Sequence, residues 1–253
     1  MFEFRFYAVA SGRMASELAL VHDMAAAGAP EVPGGPPGAG ETLWHRYGVP
    51  GPLGSWIAHS GRQMPGFLYI IKWDSLAQRD ANFPRFWTDP FWRARRAQLT
   101  DGMTLVDSIE TWLMDPLPAW ERLAEPAGGP VGGVHELRLL PVVNGAQAQA
   151  AAALEQADLP ALMAQGARLL GLWEVVIGPN RPQFVLMLAW PDAATQARGW
   201  AAADADPAII ARREDETVRH GRPVYGVADS WLMEPMAFNM PAANLGQTFG
   251  GAK

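Results

Sequence analysis

A long-range internal repeat limits the folds available to this chain more than any other feature of its sequence. Residues 53–56 (LGSW) return as residues 170–173 (LGLW), 117 positions later, and the same displacement relates Trp73 to Trp190. The displacement is 133 at the front of the chain, between EFRF at 3–6 and ELRL at 136–139. It is 119 near the end, between WLMDP at 112–116 and WLMEP at 231–235. Ordered matches with small length changes are typical of a duplicated domain whose copies each form their own sheet and helices.

Each copy alternates between strand and helix periodicities in the same order. The first copy has alternating or apolar strand patterns at 2–8, 53–59, 66–73 and 104–114. Its helical patterns cover 12–27, begin again at the N-cap candidate Asp74-Ser75, and resume after Thr88-Asp89-Pro90. The second copy predicts strands near 133–140, 168–177, 182–190 and 224–233, with helices near 146–165 and 191–217. The order β-α-β-β-α-β predicts an α+β fold of two tandem ferredoxin-like domains.

The repeat also predicts the domain boundaries. We expect a first domain over residues 1–116, a linker rich in Pro and Gly over 117–131, a second domain over 132–235 and a C-terminal tail over 236–253. The first domain carries an insertion at 28–50, which is a Gly/Pro-rich loop followed by Trp44-His45-Arg46-Tyr47. Long loops inside compact domains are commonly functional, so we interpret the aromatic end of this insertion as a lid.

Composition excludes several classes of function. The chain has no cysteine, which removes disulfides, thiolate metal sites and cysteine nucleophiles. Its net charge of -6 argues against a surface that binds nucleic acid, and no stretch approaches the length of a membrane span. The alternating start at 2–7 predicts a strand and not a signal peptide, so we expect a cytoplasmic protein. The 11 tryptophans suit an aromatic-lined cavity or a large subunit interface, and we expect a homodimer.

Several segments resemble the NIPSNAP family of the dimeric α/β-barrel superfamily. In the first copy they are EFRFY at 3–7, GSW at 54–56, KWDSLAQR at 72–79 and ETWLMDP at 110–116. The second copy keeps ELRL at 136–139, GLWE at 171–174 and WPD at 190–192, but it lacks the DSLA element. The resemblance implies two ferredoxin-like units that pack as a barrel-like pair, here within a single polypeptide. Relatives in the superfamily include cofactor-free monooxygenases, lactone isomerases, haem enzymes and stress proteins, so the fold does not assign a reaction.

Charged residues that occur in both copies indicate a structural network. The first strand of each copy carries an acid and a base on its polar face, Glu3 with Arg5 and Glu136 with Arg138. A carboxylate also recurs late in each fourth strand, at Glu110 and Asp229. We interpret these groups mainly as ion pairs that hold the sheets together or orient active groups, and Arg5 and Glu110 remain candidate catalytic residues.

Positions that differ between the copies are more informative about chemistry. His59, Tyr69 and Tyr7 in the first copy correspond to Val176, Leu186 and Leu140 in the second. A buried imidazole or phenol needs hydrogen-bond partners. An aliphatic residue would form the same sheet without the free-energy cost of burying a polar group. We therefore predict that His59, Tyr7 and Tyr69 are catalytic, with histidine carrying the proton and a tyrosine or Arg5 stabilising an oxyanion. For these side chains to meet in one site, His59 and Tyr69 must lie on the same face of adjacent strands.

Aromatic and titratable residues near these strands are candidate substrate contacts. They are Trp56, Trp73, Trp44, His45 and Tyr47. No HxH, HxxxH or HExxH spacing occurs, so we predict no metal, and no glycine-rich nucleotide loop follows a strand. Haem remains an alternative with His59 or His22 as the axial ligand.

The sequence leaves three functions open. The first hypothesis is a cofactor-independent enzyme that performs lyase or isomerase acid–base chemistry on a small hydrophobic, aromatic molecule, with cofactor-free oxygenation as a close variant. The second is a non-catalytic protein that binds small molecules or acts as a scaffold. The third is a haem-dependent enzyme.

Overall fold

The computed structural model describes residues 1–25, 42–124 and 133–236. Contacts divide the chain into two compact units. Among the described residues, the first contains 1–25, 42–58, 63–111 and 236, and the second contains 59–62, 112–124 and 133–235. The linker residues 125–132, the insertion residues 26–41 and the tail residues 237–253 lie outside the described residues.

The first copy of the repeat folds in the predicted order of elements. Its four strands are β1 (Phe2–Val9), β2 (Gly54–Ala58), β3 (Gly66–Lys72) and β4 (Val106–Pro116). Its helices are α1 (Met14–Ala25), the short α2 (Leu43–Arg46), α3 (Leu76–Trp87) and α4 (Pro90–Thr100). The chain passes from the first unit into the second inside β4, after Thr111.

The second copy repeats this order after a short connecting helix, α5 (Pro118–Leu123). Its strands are β5 (Val134–Pro141), β6 (Arg168–Ile177), β7 (Gln183–Trp190) and β8 (Asp229–Pro235). Helix α6 (Gln147–Ala153) continues through one π-helical turn, Leu154–Asp158, into α7 (Leu159–Ala164). Helices α8 (Ala193–Asp204) and α9 (Pro207–His220) occupy the stretch for which the periodicity predicts helix over 191–217.

Strand pairing follows the ferredoxin-like pattern. In the second unit the order is β8-β5-β7-β6, and the last residues of β4, Leu113 to Pro116, pair with β6. In the first unit β3 lies between β1 and β2. Both copies share one register, because Arg5 is opposite Tyr69 on β1 and β3 as Arg138 is opposite Leu186 on β5 and β7. The α+β class and the two ferredoxin-like copies are confirmed.

Both copies begin their later helices with the same capping chemistry. Ser75 accepts a hydrogen bond from the backbone N–H of Gln78 at the start of α3, and Asp192 does the same for Thr195 at α8. Asp89 and Asp206 cap α4 and α9, each followed by proline at the first helical position. Local sequence therefore sets where these four helices begin, at the N-caps Ser75, Asp89, Asp192 and Asp206.

The alternation of β1 separates two environments in the first unit. Phe2, Phe4 and Phe6 point to one face of the sheet, and Glu3, Arg5 and Tyr7 point to the other. The second face packs with helices α1 to α4 around a core that contains Tyr7, Tyr69, Trp73 and Phe86. Polar side chains of β1 are consequently buried beneath helices, which is where the candidate site lies.

Candidate functional site

A cavity of about 370 Å³ lies in the first unit between the sheet and its helices. Its apolar wall is formed mainly by helices, through Leu20, Val21, Met24, Trp44, Phe86 and Trp92. Its polar groups are Arg5, Tyr7, Tyr69, Glu17 and Arg96. A largely apolar cavity of this size with a few convergent polar groups is typical of a site for a small organic molecule.

Three of the predicted residues form one hydrogen-bonded chain in this cavity. Arg5 donates from Nε to the phenol oxygen of Tyr7 at 3.0 Å, and the phenol oxygens of Tyr7 and Tyr69 are 2.8 Å apart. The two phenols carry two hydrogens, and the bond between them uses one. Whichever phenol donates in that bond, the other hydrogen has no acceptor among the described residues and can be donated to a ligand.

Glu3 fixes the position of Arg5, the first member of this hydrogen-bonded series. Its carboxylate accepts hydrogen bonds from Arg5 Nη1 at 2.8 Å, Trp73 Nε1 at 2.8 Å and Arg79 Nε at 2.8 Å. Burial alone would raise the pKa of Glu3, but the hydrogen bond from Arg79 and the charge of Arg5 outweigh it and lower that pKa. Glu3 is therefore an ionised anchor that orients Arg5, and Trp73 contributes by binding Glu3.

The phenols stay protonated at neutral pH. Burial raises the pKa of Tyr7, and it raises the pKa of Tyr69 well above the ordinary value with a further contribution from Tyr7. Burial would lower the pKa of Arg5, but the neighbouring Tyr69, Tyr7 and Glu3 raise it overall. The cavity thus contains a permanent cation and neutral hydrogen-bond donors, an arrangement that stabilises an oxyanion.

Glu17 is the titratable group in this cavity that the sequence analysis missed. It lies on α1, it is 4% exposed, and no described residue forms a hydrogen bond or ion pair with its carboxylate. Burial raises its pKa to about 7, against an opposing effect from the charge of Arg96. A carboxylate with that pKa accepts and returns a proton near neutral pH, which is the property of a general base.

A signal for Glu17 was present in the helical spacing. Leu20, Val21 and Met24 follow it at intervals of three, four and seven residues, so Glu17 continues the apolar face of α1. A carboxylate on the buried face of an amphipathic helix is costly unless it is paired or functional. The same face includes Leu18 only at its edge, where it is half-buried.

The described end of the insertion contributes one wall of the cavity. Trp44 on α2 is buried and stacks on Phe86 with ring centroids 4.7 Å apart. Tyr47 does not line the cavity, and its phenol donates to Asp89 at 2.7 Å, which ties the end of α2 to the N-cap of α4. His45 is exposed and does not line the cavity.

The remaining predicted residues lie elsewhere. His59 belongs to the second unit, where its imidazole is 3.1 Å from Glu234, and their side chains are 58% and 67% exposed. His59 is not among the residues that line the cavity, so the structure does not bring it together with Tyr7 and Tyr69. Glu110, Trp56 and Trp73 also do not line it, and Trp56 is fully buried on β2.

The second copy has a counterpart of Glu3 but no counterparts of the two phenols and Glu17. Glu136 accepts hydrogen bonds from Arg138, Trp190 and Gln196, the counterparts of Arg5, Trp73 and Arg79. At the positions of Tyr7, Tyr69 and Glu17 it has Leu140, Leu186 and Ala150, which are buried. The groups that distinguish the first cavity are therefore those with proton chemistry.

No histidine lines the cavity of the first unit, and among the described residues no three His, Asp or Glu side chains gather as ligands for a metal ion. The side chain of His22, which the haem alternative names as an axial ligand in place of His59, is 61% exposed. None of the helices described is long and apolar enough to cross a membrane.

Solved structures resemble this chain in fold. An anthrone oxidase-like protein aligns with a TM-score of 0.55 and 15% identity, over 93% of this chain and 90% of the other. A candidate monooxygenase from Fusobacterium nucleatum aligns with a TM-score of 0.50 and 9% identity, over 92% and 93% of the two chains. At these identities the likeness is one of fold alone. None of the curated proteins matches the chain significantly.

The family comparison covers both copies of the repeat. The NIPSNAP family model matches residues 2–119 and again residues 135–227, which together make up most of the sequence. The two matches contain β1 to β4 and β5 to β7 with their helices, including Arg5, Glu17 and both phenols. The chain therefore belongs to the NIPSNAP family.

Proposed function

We propose that the chain is a cofactor-independent enzyme that performs acid–base chemistry of the lyase or isomerase type on a small aromatic molecule bound in the cavity of the first unit. The observation that carries this proposal is Glu17, a buried carboxyl with a pKa of about 7 in the same cavity as the Arg5–Tyr7–Tyr69 chain. A base poised near neutral pH and an oxyanion site in one apolar cavity are the two requirements for removing a proton next to a carbonyl.

The reaction begins with proton transfer from carbon to a carboxylate oxygen of Glu17. The electron pair of the broken C–H bond moves into the substrate and places negative charge on its carbonyl oxygen, giving an enolate. The free phenol hydrogen and the charge of Arg5 stabilise this oxygen. Glu17 then returns the proton to a different carbon in an isomerisation, or a leaving group departs from the β-carbon in a lyase reaction.

The surrounding side chains favour a planar apolar substrate. Trp44, Phe86 and Trp92 offer aromatic surfaces, and Leu20, Val21 and Met24 complete an apolar wall. This wall also keeps Glu17 out of water, which raises its pKa and makes it basic enough for a weakly acidic carbon. His59, which the sequence analysis assigned to proton transfer, has no role in this proposal, and Glu17 takes its place.

Deuterium exchange tests the proposal without knowledge of the natural substrate. The probe is 2-tetralone, an aromatic ketone with an acidic C–H next to its carbonyl, and the readout is NMR-detected deuterium incorporation in D₂O. We expect catalysed exchange by the native protein and a loss of about 10²- to 10⁴-fold in Glu17→Gln. Tetralone that binds without catalysed exchange supports the alternative of a non-catalytic binding protein.

Cofactor-free oxygenation is a second candidate for the same site. The proton removal would be identical, but the carbanion would then react with molecular oxygen. The fold is shared with proteins described as a candidate monooxygenase and as anthrone oxidase-like. Oxygen consumption measured with anthrone as the probe distinguishes the two outcomes, because an isomerase or lyase consumes no oxygen.

A further inference from the structure

A second cavity, of about 270 Å³, lies in the second unit at the position equivalent to the first. Leu140 and Leu186 line it where Tyr7 and Tyr69 line the first cavity. Trp200, the counterpart of Phe83, and Leu154 add apolar surface. The duplication has therefore preserved a cavity from which the reactive groups are missing.

Arg138 lines this cavity, and its terminal nitrogens have no acceptor among the described residues. Its Nε donates to Glu136 at 2.6 Å, and this is its one hydrogen bond among the described residues. In the first unit the guanidinium of Arg5 binds both Glu3 and the phenol of Tyr7, but Leu140 offers no acceptor in place of that phenol. The terminal nitrogens of Arg138 consequently have no acceptor among the described residues and remain available to a ligand.

Arg138 is held rigidly enough to serve as an anchor. Its guanidinium carbon lies 3.4 Å from the centre of the Trp200 ring, and its side chain is 15% exposed. Trp200 is itself fixed by a hydrogen bond of 2.8 Å from its Nε1 to Glu136. A guanidinium in a fixed plane binds a carboxylate through two parallel hydrogen bonds.

The other cations near the cavity do not compete for this role. Arg213 donates to Asp204 at 2.8 Å and to Asp158 at 3.3 Å, so each of its terminal nitrogens already binds a carboxylate. Tyr225, a phenol that also lines the cavity, interacts with the buried carboxylate of Asp158. Arg138 is thus the cation lining this cavity whose terminal nitrogens have no hydrogen bond to a described residue.

We infer that the second cavity is a non-catalytic binding site for a small aromatic carboxylate. The carboxylate is held by the terminal nitrogens of Arg138, and a single ring fits against Leu140, Leu154 and Leu186. With Ala150 in place of Glu17 and leucines in place of both phenols, the site lacks the counterparts of the groups to which we assign proton transfer and oxyanion binding in the first cavity. The inference does not depend on the activity of the first cavity.

Calorimetric titration with benzoate tests the site, with benzyl alcohol as the neutral probe of similar size. We expect benzoate to bind and benzyl alcohol to bind at least about tenfold more weakly, since hydrogen bonds to a charged group are lost. Arg138→Gln should weaken the binding of benzoate by at least about tenfold or remove one site per chain. Glu17→Gln, in the first cavity, is the matched control and should leave this site unchanged.

Arg138→Gln also removes the partner of Glu136 and can unfold the second unit, so a second variant is needed. Leu140→Tyr places a phenol beside Arg138, as Tyr7 stands beside Arg5, and leaves the ion pair with Glu136 intact. We expect this variant to fold and to lose the same benzoate site. The inference is overturned if benzoate does not bind, if benzyl alcohol binds equally well, or if benzoate binding survives Leu140→Tyr unchanged.

Discussion

The phenol oxygens of Tyr7 and Tyr69 lie 2.8 Å apart although 62 positions separate the residues in the chain. Antiparallel pairing of β1 with β3 brings them together, and Arg5 stands directly opposite Tyr69 in the same register. Both phenols and the guanidinium point to the face covered by helices, because they occupy alternate positions of their strands. The grouping of the guanidinium with the two phenols is therefore a product of strand register.

Removing either phenol hydroxyl should reduce activity, but with different costs in stability. Tyr7→Phe leaves the buried Nε of Arg5 without an acceptor, so we expect a loss of about 1–3 kcal/mol in the free energy of unfolding. Tyr69→Phe breaks one hydrogen bond between neutral groups and should cost about 1 kcal/mol. Tetralone exchange should fall about 10²- to 10³-fold in both. Chemical denaturation and exchange rates measure the two effects, and full exchange activity in both variants contradicts the oxyanion role.

Glu17 should make the protein less stable as the pH rises. Its pKa is about 7 in the folded protein and near 4.5 when unfolded, so the folded state binds the proton more tightly between these values. Stability is then full below about pH 4.5 and falls as the pH rises through 7, by up to ~3 kcal/mol from this group. Glu17→Gln removes this dependence, so the variant should gain stability relative to the native protein at pH 8 and not at pH 5. Thermal melts at the two pH values measure the difference, and a difference that does not vary with pH contradicts the raised pKa.

Glu3 should have the opposite dependence on pH. Its pKa is lowered in the folded protein, so the stability that it contributes is present above its ordinary pKa and is lost as the pH falls through the folded value. Glu3→Gln leaves the buried Arg5 without its carboxylate and should cost about 3–5 kcal/mol at neutral pH. The difference from the native protein should shrink in acid, which denaturant titrations over a range of pH measure.

The second copy offers a matched control for Glu3. Glu136→Gln breaks the equivalent bonds to Arg138, Trp190 and Gln196 and should destabilise the protein similarly. It leaves Arg5, Tyr7 and Tyr69 untouched, so exchange activity below the melting temperature should be retained. Equal loss of activity in the two variants would mean that Glu3 acts only through overall stability.

His59→Ala should have little effect. The imidazole and its partner Glu234 are both more than half exposed, and such surface pairs contribute about 0–1 kcal/mol. We expect tetralone exchange to equal that of the native protein, since Glu17 and the phenols are unchanged. A loss of about tenfold or more would return His59 to the reaction and require a different base from the one proposed.

Asp89→Ala should release α2 from the helical layer of the first unit. Asp89 caps α4 through Trp92 N at 2.7 Å and also accepts from Tyr47, so we expect a loss of about 1–3 kcal/mol. Hydrogen exchange of the amides of Gly48 and Val49, which bond back into α2, should become faster. Asp206→Ala, which removes the equivalent cap of α9, is the control and should leave residues 42–50 protected.

Local sequence was sufficient for the elements of the fold. The starts of α3 and α4 follow from Ser75 and Asp89 as N-caps, and the strands β1, β6 and β7 follow from apolar patterns of the expected length. The pattern over 191–217 predicts one helix, whereas the chain forms α8 and α9, with Asp206 as the N-cap and Pro207 as the first residue of α9. The insertion was predicted as a lid, and its described part, α2, provides Trp44 to the cavity wall.

Comparison of the two copies singles out Tyr7 and Tyr69, which line the cavity, together with His59, which does not. A substitution between copies shows which residues differ in chemistry, and it does not show which of them face the same space. His59 follows the end of β2, and its backbone N–H bonds to Leu232 of β8 in the second unit. Glu17 differs from Ala150 as plainly as Tyr7 differs from Leu140, but it lies on a helix and was overlooked among strand positions.

The sequence by itself determined the duplication, the α+β class, the order of elements and the anchoring acid and base on the first strand of each copy. These properties depend on periodicity, capping and repetition, all of which act over a few residues or are visible by direct comparison. Only the tertiary structure decided that Arg5, Tyr7, Tyr69 and Glu17 share a cavity, and that Arg138 retains unused donors in the second. Such groupings depend on strand register and on how a helix is rotated over a sheet, and these are set by the packing of the whole core.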